Sequence, residues 1–173
     1  NHRVYWSLPS PHSSLKVTAQ SELETFLIEE KRLDALAKQV LHLSWENAVL
    51  AYRYRADIAS DQATEFAYAS HHAPIDTAFA IYAQSSFTPG RNLIDATRHL
   101  MQRIHTDFKY ESFTTDISTP ALKVLEDKKG VCQDFAHVML ACLRSLGLAA
   151  RYVSGYLLTE PPPGQARLIG SDA

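Results

Sequence analysis

The stretch Lys129-Gly130-Val131-Cys132-Gln133-Asp134-Phe135-Ala136-His137 puts a cysteine just after a glycine turn and at the front of an amphipathic helix. From Phe135 onward, Phe135, Val138, Met139, Cys142, Leu143 and Leu146 recur at spacings of three and one, which marks one face of an α-helix. Cys132 therefore falls in or just before the first turn. There the backbone N–H groups lack intrahelical partners and the helix dipole is positive, so a thiolate is favoured. Gly130 lets the chain turn tightly. Asp134 suits a helix start, although its charge partly opposes the thiolate. A buried structural thiol is the plainer reading of a free cysteine, and position alone does not separate the two.

The residues that follow are Arg144-Ser145-Leu146-Gly147-Leu148-Ala149-Ala150-Arg151-Tyr152-Val153-Ser154-Gly155-Tyr156-Leu157. Taken with Gly130 to His137, they resemble the transglutaminase-like superfamily of papain-type cysteine enzymes, and within it the bacterial transglutaminase-like cysteine proteases. In that family the nucleophilic Cys opens a helix, the helix ends at a Leu-Gly-Leu turn followed by Ala-Arg, and a strand with Tyr-Val-x-Gly-Tyr comes next. The resemblance implies an α+β fold, a papain-like core with a helical first half and an antiparallel sheet whose first strand runs from about Ala150 to Leu158. It also implies that Cys132 is the nucleophile of a Cys-His-Asp triad. The family's His stands in an Asp-Ala-x-His-Ala-Trp context, which Asp172-Ala173 begins to match. The His and the Asp that orients it are thus expected beyond Ala173. Asp172 would support the His strand and is not the triad Asp. None of the histidines present, His137 included, occupies the family position.

The start of the chain has no initiator Met, and residues 1–24, with Val4-Tyr5-Trp6-Ser7-Leu8 and Leu15-Lys16-Val17-Thr18-Ala19, resemble the last strands of an N-terminal β-domain. The expected organisation is that remnant followed by a core over residues 25–173, together a piece of a longer gene product. A chain of 173 residues makes roughly one domain and can bury a substantial core. A net charge of −2 from 17 basic and 19 acidic residues makes no electrostatic case for nucleic acid or an anionic membrane. No apolar run approaches the ~18 residues that a membrane-spanning helix needs. Cys132 and Cys142 lie ten positions apart on one expected helix, which at ~1.5 Å per residue exceeds the ~7 Å reach of a disulfide. Two free thiols suit a reducing cytoplasm, while a leader peptide stays compatible with the sequence. Cys132 and His137 form Cys-x4-His, not a convincing zinc spacing, and there is no CxxC pair, so no metal and no cofactor is expected.

Along the chain, Leu23, Phe26, Leu27, Leu33, Leu36 and Val40 form an imperfect stripe within 21–56, and Ser44 to Val49 and Gln62 to Ala67 suit short helices. Ile75 to Gln84 reads as a helix and Ser85 to Gly90 as a break. Leu93, Ile94, Thr97, Leu100, Met101, Ile104 and Phe108 recur at three and four, which predicts a helix over 92–107. Phe108-Lys109-Tyr110 leads into a loop. Thr119 then caps a helix with Pro120 in its first position, and that helix closes at Lys128-Lys129-Gly130. Pro161-Pro162-Pro163-Gly164 reads as a stiff loop bordering the cleft.

The expected chemistry is attack of the Cys132 thiolate on an amide carbonyl of a protein or peptide substrate, giving a thioester. The backbone N–H of Cys132 is the natural oxyanion donor. Tyr110, which the family often has at the end of its Phe-x-Tyr segment, and Gln133 are oxyanion or cleft candidates. A packed aromatic and a local hydrogen-bonder are their plainer readings. Cys142 reads as core, His137 as a hydrogen-bonded structural histidine, Asp134 as a helix-end residue and Arg151 as half of an ion pair. Three functions stay open: an amide hydrolase or protease, an acyltransferase cross-linking Gln to Lys, and a non-catalytic interaction domain.

Overall fold

In the computed structural model the described residues are 42–56, 59, 61–111, 115, 118–155 and 164, with 7, 9–16 and 18 near the start. The expected stripe before Val40, the end of the 150–158 strand, most of the proline loop and Asp172 lie outside them. Of the expected N-terminal strands only residues 7, 9–16 and 18 are described, and these form no strand; Pro9 and Pro11 would supply no ladder donors.

Among the described residues there are five α-helices, one 3-10 helix and two short strands. The order is α1 (Trp45–Ala51), the 3-10 helix (Gln62–Ala67), α2 (Thr77–Gln84), α3 (Leu93–Asp107), β1 (Lys109–Tyr110), α4 (Ala121–Asp127), β2 (Lys129–Gly130) and α5 (Cys132–Ser145). The first four helices begin where a short polar side chain satisfies an amide that the helix cannot. Ser44 accepts from the Asn47 N–H, Asp61 from Ala63, Asp76 from Ala78, and Asn92 from Ile94 and Asp95. The Asp76 cap is why α2 starts at Thr77, two residues later than the apolar pattern suggests.

α5 lies at the centre, packed on α2, α4 and α3. Phe79, Leu100, Val124, Val138 and Cys142 have less than 2% of their surface exposed, and each such large side chain contributes roughly 1.5–3 kcal/mol through burial. On α3 the expected face holds at Leu100 and Ile104, and Ala96, outside the expected set, is buried with them. Thr97 fits its turn because its hydroxyl donates to the Leu93 carbonyl at 2.8 Å. Met101 departs from the expectation and is 53% exposed.

α4 begins one residue later than the Thr119-Pro120 signal predicts. Pro120 is the cap, with φ −64° and ψ 139°; its ring sets φ for a helix, while ψ keeps it extended. At the other end the left-handed residue is Lys128, with φ 54° and ψ 36°, rather than the expected glycine. Its ammonium lies 3.9 Å from the Tyr82 ring centroid and 4.5 Å from that of Phe108, which offsets the backbone strain by cation–π attraction. Burial lowers the Lys128 pKa, and Asp107 opposes that.

β1 and β2 pair in parallel, Lys109 opposite Lys129 and Tyr110 opposite Gly130. Lys109 N–H donates to the Lys128 carbonyl at 2.8 Å and Glu111 N–H to that of Gly130 at 2.9 Å. The α+β class therefore holds with a sheet that differs from the expected one. The described sheet is parallel and built from residues read as the lead into a loop, 109–110, and as a helix end, 129–130. Residues 150–155, the front of the expected antiparallel strand, have no strand assignment. A strand needs a neighbouring ladder, and the backbone bond seen here is Ala150 N–H to the Phe66 carbonyl, 3.1 Å.

Candidate active site

β2 delivers the chain to Val131, the extended N-cap of α5, and Cys132 is the first helical residue. Its thiol is exposed, whereas that of Cys142 is buried. Asp134 is 7% exposed, and its Oδ2 accepts from the Val131 N–H at 2.8 Å and from the Thr115 hydroxyl at 2.6 Å. This is the acidic half of a capping box; Val131 has no side-chain acceptor to complete it. A Cβ built on Gly130 would stand 2.6 Å from that same Oδ2. Glycine at 130 thus lets the carboxylate reach over β2 and fix the turn into Cys132.

Cys132, Ala136 and Met139, at i, i+4 and i+7, form a ridge between two largely apolar clefts that both touch the thiol-bearing residue. The larger, about 620 Å³, has Leu140, Leu143, Arg151, Tyr152 and Val153 in its wall. The other, about 570 Å³, has Met101, His105, Phe108, Tyr110 and Phe135. Tyr110 is 61% exposed and meets Phe135 edge-on at 6.5 Å. The structure thus brings Cys132 and Tyr110 to one cleft. Gln133 is half-buried on α5 and does not belong to either cleft wall.

Cys142 has no exposed surface, and burial pushes its thiol up to about 12. His137 stacks on His72 rather than facing the thiol ridge, since it stands five residues along the helix from Cys132. Arg151 lies over the Phe66 ring at 5.5 Å, a cation–π contact in place of the expected ion pair.

Several residues that shape the site gave no sequence signal. Arg144 is 7% exposed although it stands on the side of α5 opposite the Phe135–Leu146 stripe. Its Nε and Nη2 donate to the Ala150 carbonyl at 3.1 and 2.7 Å, and its Nη1 to Ser70 Oγ at 2.9 Å. It thereby ties the chain after α5, which walls the larger cleft, to the helix that carries Cys132. Thr115, 19 residues from Asp134 in sequence, is equally silent. Ala136 could have been found from the i, i+4 spacing to Cys132.

The sequence profile of the Transglutaminase-like superfamily matches residues 80–170, more than half of the chain and the part that contains both strands, α3 to α5 and both clefts. The chain belongs to that superfamily. It is 41% identical over all 173 residues to uncharacterized proteins of Mycobacterium tuberculosis (strain ATCC 25618 / H37Rv) and Mycobacterium bovis, covering 52% of their length. It is 29% identical over 155 residues to an uncharacterized protein of Mycobacterium leprae, where 88% of this chain matches 49% of that one. The chain thus spans about half the length of the curated relatives it matches. A crystal structure described as a "Putative Cysteine Protease" from Cytophaga hutchinsonii superposes on 64% of this chain and 34% of its own, with a TM-score of 0.49 at 24% identity. At that level the likeness supports no argument about activity. Among the described residues no helix is long and apolar enough to cross a membrane, and no group of three or more His, Cys, Asp or Glu could hold a metal ion.

Proposed function

We propose that the protein is a cysteine-dependent amide hydrolase of the transglutaminase-like superfamily, with Cys132 as nucleophile. The observation that carries the reading is the exposed Cys132 opening α5 at the junction of two clefts, beside a second cysteine that is fully buried. The Cys132 thiolate adds to an amide carbonyl of a protein or peptide. The oxyanion takes a hydrogen bond from the Cys132 backbone N–H, with Tyr110, which shares a cleft with Cys132, as a further donor, while Gln133 stands outside both cleft walls. Collapse expels the amine, which takes a proton from an imidazole, and leaves a thioester; water then releases the acid and restores the thiol. In this reading a histidine and an aspartate of the family's triad supply that imidazole and orient it. The reading carries no cofactor, no nucleic acid and a cytoplasmic setting.

The second reading is acyl transfer to a lysine amine, favoured by the second cleft on the far side of the thiol ridge, which offers an acceptor a place separate from the acyl donor. A glutamine-containing peptide incubated with the full-length protein and a fluorescent primary amine separates the readings. Ammonia release with no amine incorporation supports hydrolysis, and incorporation supports transfer. If Cys132 also labels with iodoacetamide no faster than Cys142, both fall, and an interaction domain is left.

A further inference from the structure

The turn before α2 presents two histidines to α5. Ser70 N–H donates to the Ala73 carbonyl at 3.0 Å and Ala73 N–H to that of Ser70 at 3.2 Å, which closes the turn and leaves His71 and His72 exposed on it. The His72 ring lies flat on His137, with centroids 5.0 Å apart and planes at 9°. His71 meets His72 edge-on at 4.7 Å, and His137 leans on Tyr152 at 5.1 Å and 39°. Tyr152 walls the larger cleft beside Cys132. A chain of four rings therefore runs from an exposed turn to the cleft. Arg144, seven residues beyond His137, holds the same turn through Ser70 Oγ.

We propose that His72 is a positioning residue for the Cys132 cleft: through His137 it holds Tyr152 in the cleft wall while the imidazoles are neutral, and protonation releases it. Its consequence for catalysis rests on Cys132 being the nucleophile; the contact itself does not.

Two neutral imidazoles stack face to face without electrostatic cost, whereas two imidazolium ions at this separation repel. The surroundings favour the neutral pair. Burial lowers the His137 pKa first, His72 and Arg144 lower it further, and Asp134 alone raises it. Asp134 is already committed to Val131 N–H and Thr115. From α5 the charged neighbours are Asp134 and Arg144, from the turn His71 and His72, and from the segment after α5 Tyr152. Since the folded protein holds this proton more weakly than the unfolded chain, the contact is intact above the ordinary histidine value of 6.5 and is lost as pH falls below it through the lowered folded-state value.

The test uses the full-length protein, as wild type and as His72→Phe, which keeps a flat ring and cannot charge. Imidazole NMR titration should show His137 titrating below the ordinary histidine value of 6.5. In His72→Phe the His137 titration should move up, having lost its charged neighbour. The second readout is the ratio of Cys132 labelling by a bulky maleimide to that by iodoacetamide, in which thiolate content cancels. It should rise between pH 7.5 and 5.5 in wild type and stay flat in His72→Phe. A His137 titration that does not move in His72→Phe, or a ratio with the same pH response in both proteins, would overturn the proposal. If His72→Phe does not fold, His72→Gln, planar and uncharged, takes its place. If Cys132 labels no faster than Cys142 throughout, the nucleophile reading fails, and the NMR titration still decides the contact.

Discussion

Gly130→Ala is the sharpest test of how the chain is held at Cys132. The added methyl carbon would meet Asp134 Oδ2 at 2.6 Å, Cβ at 3.0 Å and Cγ at 3.1 Å, all within one side chain that is 93% buried by its 7% exposure. The oxygen it strikes is the one that accepts from Val131 N–H and from Thr115. Moving the carboxylate breaks both bonds. Hydrogen bonds to a charged group are worth about 1.5–3 kcal/mol each, part of which water at the helix end returns, so the net loss is about 2–4 kcal/mol. For a chain of this size that lowers Tm by about 5–15 °C and the urea midpoint by about 1–2 M, read by tryptophan fluorescence. Gly90→Ala is the control. Gly90 has φ 74° and nothing within 4 Å of an added carbon, so only backbone strain of about 1 kcal/mol applies. In an Asp134→Ala background the Gly130→Ala loss should shrink to about that size. Equal shifts for Gly130→Ala and Gly90→Ala in the otherwise wild-type chain would refute the account of the turn.

Arg144→Leu should lower stability by about 2–4 kcal/mol in urea titrations, because the Ala150 carbonyl loses a buried donor fork, and Arg144→Lys should not restore it, since an ammonium cannot reach both Ala150 and Ser70. Val138→Ala, at a site with no exposed surface, should cost about 1–3 kcal/mol in the same assay, with the Cys132 labelling rate unchanged. The Cys142 thiol is raised from 9.0 to about 12, so the folded state keeps a proton that the unfolded chain gives up. Stability is therefore full below pH 9 and declines as pH climbs towards 12; urea midpoints at pH 8 and 10 should differ, and Cys142→Ala should reduce the difference.

What the sequence determined by itself was local. Apolar residues at three and four placed α3 and α5, and Ser44 and Asn92 stood at expected helix starts, whereas the caps Asp61 and Asp76 were not read, although a periodic face and an unpaired N–H both act within a few residues. The motif around Cys132 marked the thiol and the family for the same reason. What the tertiary structure alone decided lies in contacts between distant segments. Residues 109–110 became a strand only by meeting 129–130, and a two-residue strand has no period to detect. Lys128 took the left-handed position because Tyr82 and Phe108, far off in sequence, attract its ammonium. Arg144 is buried on the side of α5 away from the apolar stripe because a carbonyl six residues on and a serine 74 residues back give its guanidinium partners there. Thr115 and His72 reached α5 in the same way. Side-chain pairing across the fold carries no periodic trace in the chain, so the candidate nucleophile was legible beforehand, while the groups that hold its surroundings in place were not.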